Sequence, residues 1–186
     1  MPIRNITLPP THNQRAPEQW RIISGHVDFE GKTVLDLGCG YGDIMHRCHN
    51  TGARYVLGLD KDMNLSGLLS DKRQIINYLD YAFCDMDSGL SQWVYDRSNP
   101  GWNIIICFSV LPYLTDPTAT LHWIRQHSEQ ALIECQLSGD GPGPDWLKCP
   151  QDMRRWLDSI GWQSVERIGE TTVKDRGTKR GIWLCQ

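Results

Sequence analysis

Residues 32–37, Lys-Thr-Val-Leu-Asp-Leu, form a β-branched and aliphatic run that stops at three glycines spaced two apart, Gly38, Gly40 and Gly42. The run reads as a buried strand, and the glycines let the backbone turn sharply out of it. From Asp43 to Asn50 the pattern is helical, with Gly52 at its stop. A strand passed through a glycine turn into a helix constrains the rest of the chain more than any other feature. If the alternation continues, the strands must lie parallel, because parallel neighbours need crossover connections.

The alternation does continue. Tyr55–Leu59 is a second strand running to Asp60, a helix is expected over 63–78, and Tyr81–Cys84 is a short third strand ending at Asp85. Leu90, Trp93 and Val94 share a face in a possible helix over 88–97, and Asn99-Pro100-Gly101 is a turn. Trp102–Val110 is the longest apolar strand. A helix over 116–127 follows, with Pro117 in its first turn, and then a fifth strand, Ala131–Cys135. Residues 138–145 are too rich in glycine and proline for regular structure. A last helix near Pro150–Ile160 precedes two extended segments, Gln163–Val173 and Ile182–Cys185, joined by the charged turn Lys174–Arg180 as a hairpin. Upstream, Trp20, Ile22, Ile23 and Val27 suit a short amphipathic helix. The expected fold is α/β: a doubly wound, mostly parallel sheet with a C-terminal antiparallel hairpin. At 186 residues the chain fits one domain, divided into a lead-in (1–16), an N-terminal helix (17–30) and a core (31–186).

Composition removes several functional classes. A net charge of −3 gives no general attraction to phosphate backbones or anionic membranes. No apolar run approaches the ~20 residues that span a bilayer. The opening Met-Pro-Ile-Arg-Asn lacks the apolar segment of a secretory signal, so a cytoplasmic location is expected. The seven cysteines are odd in number and form no CxxC pair, which favours core filling over disulfides or a zinc cage. His46 and His49 stand i, i+3 on one helix without an apparent third ligand, so no metal is expected.

In a sheet of this kind ligands bind outside the carboxyl ends of the strands. At the first such end the spacing is GxGxG, which differs from the dinucleotide GxGxxG, and no Lys-Ser/Thr follows to make a P-loop. Asp36 precedes the first glycine by two positions. A carboxylate there repels a pyrophosphate and suits a ligand with an ammonium group. Asp60 and Asp85 close the next two strands, where an aspartate could also serve simply as a helix N-cap.

With these three acids and the acid-x-Gly-x-Gly-x-Gly motif in place, residues 30–136 resemble the class I, Rossmann-like S-adenosylmethionine-dependent methyltransferases. The resemblance implies that the cofactor is S-adenosyl-L-methionine, bound by Asp36, Gly38, Cys39, Gly40, Tyr41, Gly42, Asp60, Lys61, Asp85, Met86 and Ser109. Asp60 would take both ribose hydroxyls, Asp85 the adenine amino group, and the Met86 N–H the ring. Ser109–Leu114 would lie beside the transferable methyl group, with Tyr113 and Gln136 facing the acceptor; Gln136 is preferred to Glu134, since alternation lets only one face the site. Arg15 is placed to reach the cofactor carboxylate, and loop 138–145 to border the pocket as a lid. Two departures stand out. Asn103 holds a place near the start of the fourth strand where the family often has an acid, and the Asn/Asp-Pro-Pro-Tyr/Phe tetrapeptide of base N-methylators is absent. No catalytic base is identified. The implied activity is methyl transfer to an unidentified acceptor, with a small molecule favoured over nucleic acid. The alternatives are an RNA or DNA methylator docking through Arg154, Arg155 and the 174–180 turn, or a cofactor-binding partner protein without turnover.

Overall fold

The computed structural model describes residues 15–61, 79–88, 101–137, 150–173 and 178–186. The expected helix over 63–78, most of that over 88–97, the loop 138–145 and most of the lead-in fall outside them. The described residues include seven strands: β1 (Thr33–Leu37), β2 (Tyr55–Asp60), β3 (Leu79–Phe83), β4 (Trp102–Phe108), β5 (Ser128–Gln136), β6 (Val165–Val173) and β7 (Thr178–Cys185). Among the described residues four α-helices accompany them: α1 (Ala16–Ile23), α2 (Asp43–Asn50), α3 (Pro117–His127) and α4 (Pro150–Ser159).

The strands form one sheet in the order β3-β2-β1-β4-β5-β7-β6. The first five run parallel, while β7 is antiparallel to both β5 and β6. Alternation along β1 sends Val34 to one face of the sheet and Leu35 and Leu37 to the other. One face is covered by α1 and α2 through Ile22, Ile23, Ile44 and Met45, and the other by α3 and α4 through Leu121, Ile124, Met153 and Leu157. This is the doubly wound arrangement the strand-helix alternation requires.

Several boundaries differ from the sequence reading, each for a local reason. β4 ends at Phe108 instead of Val110, because Ser109 takes a left-handed φ of 63° and Leu111–Tyr113 forms a 3₁₀ turn. β5 begins at Ser128, since its ladder with β4 already includes Trp102 opposite Ser128. In the terminal hairpin the later strand, β7, takes the interior place beside β5. Its Ile182–Cys185 run is buried, whereas β6 is mostly exposed or half-buried and suits an edge. Lys179 and Arg180 therefore belong to β7, and Arg180 is not part of a solvated turn.

Asn103 has a structural task at the sheet's lower edge. Its Oδ1 accepts from the N–H and hydroxyl of Thr33, at 3.0 and 3.1 Å, and its own N–H donates back to Thr33 Oγ1, tying the start of β4 to that of β1. Gly58 in β2 admits α2 against the sheet: a Cβ there would lie 2.1 Å from Met45 Sδ and 2.7 Å from Cys39 Sγ. Gly58→Ala is accordingly expected to cost ~1–3 kcal/mol through overpacking, seen as a melting temperature several degrees lower. The six described cysteines are free and buried, and burial pushes the thiols of Cys107 and Cys185 up to about 12. Their role is packing.

Candidate functional site

A cavity of about 560 Å³ opens at the carboxyl ends of β1–β4. Its floor is the glycine turn. Gly38 adopts φ 71°, donates to Leu59 O at 2.7 Å, and has no room for a side chain: a Cβ would fall 2.2 Å from Val110 Cγ2. A Cβ on Gly40 would meet nothing within 4 Å, so this backbone is open to the cavity, while its N–H donates to Asp60 Oδ2 at 2.9 Å. Gly42 lies outside the lining and serves as the left-handed N-cap of α2.

Asp36 is the least comfortable residue in the site. Its side chain is 4% exposed, lines the cavity, and makes no hydrogen bond or ion pair among the described residues. Desolvation, with a smaller contribution from the neighbouring Asp60, raises its carboxyl to about 8. Without a cation beside it the buried carboxyl keeps its proton up to about pH 8, and a positively charged ligand would favour its ionised form. An ammonium on the cofactor fits that vacancy in charge.

Asp60, Lys61, Asp85 and Met86 line the same cavity. Asp85 also follows the simpler reading: its Oδ1 accepts from Asp87 N at 3.2 Å, capping the short 3₁₀ turn Met86–Ser88. Cys39 lies in the wall, and Tyr41 and Tyr113 stand half exposed at the rim.

The opposite end of the cavity holds a network that the sequence did not disclose. Ser109, the one non-glycine residue with positive φ among the described residues, accepts from Arg15 Nη2 at 2.9 Å and donates to Glu134 Oε2. Glu134 is fully buried; Oε2 also accepts from Arg15 Nη1 at 2.7 Å, and Oε1 accepts from Gln19 Nε2 at 2.9 Å and Thr171 Oγ1 at 2.8 Å. Arg15 thus spans Glu134 and Ser109 while lining the cavity. Gln136, the residue preferred at this strand end, is buried and does not line the cavity, whereas Glu134 stands directly behind Ser109. The one available signal was an acid inside the apolar run 131–135. Among the described residues, no group of three His, Cys, Asp or Glu is arranged to hold a metal, and no helix is long and apolar enough to cross a membrane.

Comparison with known proteins bears on the family and the fold. A methyltransferase-domain family model matches residues 12–174. The tRNA U34 carboxymethyltransferase of Ectopseudomonas mendocina (strain ymp) is 24% identical over 183 residues, covering 91% of this chain and 57% of its own, so the chain spans little more than half of that relative. Magnesium protoporphyrin IX methyltransferase from Synechocystis PCC 6803, solved with bound S-adenosylhomocysteine, shares the fold with a TM-score of 0.67 at 19% identity, over 94% of this chain and 82% of that one. An S-adenosylmethionine-dependent methyltransferase from Mesorhizobium loti gives 0.65 at 17%, over 91% and 97%. From the family match and the shared fold, the chain belongs to the methyltransferase-domain family.

Proposed function

We propose that the cavity holds S-adenosylmethionine across the ends of β1, β2 and β3 and methylates a small molecule placed against Ser109 and Tyr113. The observation that carries this reading is Asp36, buried on the cavity wall without a partner, beside the open backbone of Gly40. In this assignment Asp36 faces the ammonium group, Asp60 the ribose hydroxyls, and Asp85 with Met86 the adenine. The bound cofactor supplies a methyl group on a sulfonium, open to in-line displacement by the acceptor.

The chain's own contribution is positioning. Ser109 Oγ donates a hydrogen bond to Glu134 and accepts one from Arg15, which leaves one lone pair of the hydroxyl for an acceptor O–H or N–H. That hydrogen bond would orient the nucleophile at the end of β4. Gln19 and Arg15 of the N-terminal segment wall off this side from water, with Leu114 and Phe108 providing apolar surface. Glu134, bonded to Arg15, Gln19, Ser109 and Thr171, holds the serine in place.

Small-molecule size is supported by the cavity and by the state of the outer arginines. Arg154 pairs with Asp158 at 3.0 Å and Arg155 with Asp152 at 3.2 Å, so these two of the cations suggested for RNA docking already have counter-charges. The competing reading, an RNA acceptor, is favoured by the name of the curated relative. The two are separated by filter binding of tRNA across a salt series together with labelled-methyl transfer: salt-sensitive binding with label in RNA would displace the small-molecule assignment.

Asp60→Ala tests the cofactor assignment. It removes the ribose acceptor and the partner of the Gly40 N–H, and S-adenosylmethionine should bind at least tenfold more weakly, ~1.4 kcal/mol, in calorimetric titration. Affinity equal to the parent protein would remove Asp60 from the site.

A further inference from the structure

We propose that Asp87 is a positioning residue that couples the two ends of the cavity: it fixes the segment 111–115 on the acceptor side when the cofactor is seated against Asp85 and Met86. The inference deepens the reading above and rests on its assignment of the adenine.

Two turns build the coupling. After β3 the chain makes the 3₁₀ turn Met86–Ser88, and after β4 the 3₁₀ turn Leu111–Tyr113. Asp85, Met86 and Asp87 from the first, and Val110, Tyr113 and Leu114 from the second, all line the cavity. Asp87 and Thr115 are 28 residues apart in sequence, yet Asp87 Oδ1 accepts from the Thr115 backbone N–H at 2.7 Å. A carboxylate oxygen accepting from a backbone N–H is among the stronger kinds of hydrogen bond.

The acceptor segment is pinned at both ends and crosses open ground between them. Ser109 is held by Glu134 and Arg15, and Asp116 caps α3 by accepting from Ala119 N at 2.9 Å. The turn itself closes internally, with Tyr113 N donating to Val110 O at 2.9 Å and Leu114 N to Leu111 O at 3.2 Å. Leu114 then leaves in extended backbone, φ −89° and ψ 144°, and the next N–H, that of Thr115, reaches across to Asp87.

Asp85 connects this bond to the cofactor. Its Oδ1 accepts from Asp87 N at 3.2 Å, so the carboxylate assigned to the adenine amino group also shapes the turn that presents Asp87. A base seated there fixes Asp85 and Met86, then the turn, and through Asp87 the Thr115 N–H. Asp87 and Thr115 are both exposed, so water replaces their bond readily and it adds little to global stability. Its consequence is positional. Tyr113 and Leu114 are held from the cofactor side once the cofactor is bound, so the acceptor end is completed second, and the coupling between the two ligands is reciprocal.

The test follows backbone amide hydrogen exchange by nuclear magnetic resonance, with and without saturating S-adenosylhomocysteine. In the parent protein the ligand should slow exchange at Leu114 and Thr115 at least fivefold. In Asp87→Ala both amides should exchange fast with or without it, while the melting temperature stays within ~2 °C of the parent. Asp87→Asn, which keeps a side-chain oxygen as acceptor, should recover most of the protection. The proposal is overturned if bound S-adenosylhomocysteine leaves Thr115 exchange unchanged in the parent. It is equally overturned if the ligand protects Thr115 as well in Asp87→Ala, since the segment would then be covered directly. A melting temperature lowered by ~5 °C or more in Asp87→Ala would assign the residue to the fold and overturn its positioning role. Absence of binding heat with S-adenosylhomocysteine in the parent would overturn the cofactor reading first, and this inference with it.

Discussion

Asp36→Asn is expected to stabilise the ligand-free protein and at the same time to weaken S-adenosylmethionine binding by tenfold or more. Both effects follow from one buried carboxylate without a protein partner. Its pKa is raised from the ordinary 3.8 to about 8, first by desolvation and then by Asp60. Between those values the unfolded chain holds fewer protons than the folded one, so stability falls as pH rises, by up to ~1.4 kcal/mol per pH unit. The loss is absent below about 4 and complete above about 8. Asparagine is neutral throughout, so in the variant this part of the pH dependence disappears and the melting temperature at pH 7.5 exceeds that of the parent. Cofactor binding has the opposite sign. A cationic ligand favours the ionised carboxylate, so parental affinity should rise by up to about tenfold per pH unit as pH approaches 8, and Asp36→Asn should flatten that profile. Calorimetric titration at several pH values, beside melting curves over the same range, measures both. Affinity unchanged in the variant, or a parental melting temperature independent of pH between 5 and 8, would contradict the assignment of Asp36 to the ammonium group.

The second large effect is expected at Glu134. Glu134→Ala leaves Arg15 and Arg180 without the carboxylate between them and removes one hydrogen bond each from Gln19, Ser109 and Thr171. Breaking a buried ion pair by removing one partner typically costs ~3–5 kcal/mol, which for a domain of this size lowers the melting temperature by about 10 °C or more. Ser109 would also lose a bond that holds it in left-handed backbone, a conformation that costs ~1–2 kcal/mol outside glycine. Chemical denaturation measures the loss, and Glu134→Gln, which preserves shape and one acceptor, should recover part of it. Exposed-pair magnitudes in the Ala variant, below ~1 kcal/mol, would mean that the network is not the anchor described here.

The cavity residues at the ends of β1, β2 and β3 were legible because their signals are local. Asp36, Gly38 and Gly40 sit within one strand-turn-helix segment, and Asp60 and Asp85 end strands marked by their own apolar runs. Helix α2 was bounded correctly from Asp43 to Asn50, since the glycine before it and the turn after it are both sequence signals. The errors occurred where pairing across the sheet overrides local preference. β5 extends back to Ser128 because β4 lies alongside it, and β4 stops at Phe108 because the backbone turns at Ser109. Gln136 was preferred to Glu134 on strand alternation alone, although the cavity reaches neither side chain directly and engages Glu134 through Ser109.

By itself the sequence determined the alternating α/β order, the parallel sheet and the acids at three successive strand ends, because each depends on residues within one turn or one strand of each other. Tertiary structure alone decided that β7 would lie between β5 and β6, and that Arg15 would meet Glu134 across 119 residues, with Arg180 brought to the same oxygen. Those placements depend on which long-range pairing buries the most apolar surface while leaving each buried charge a neighbour.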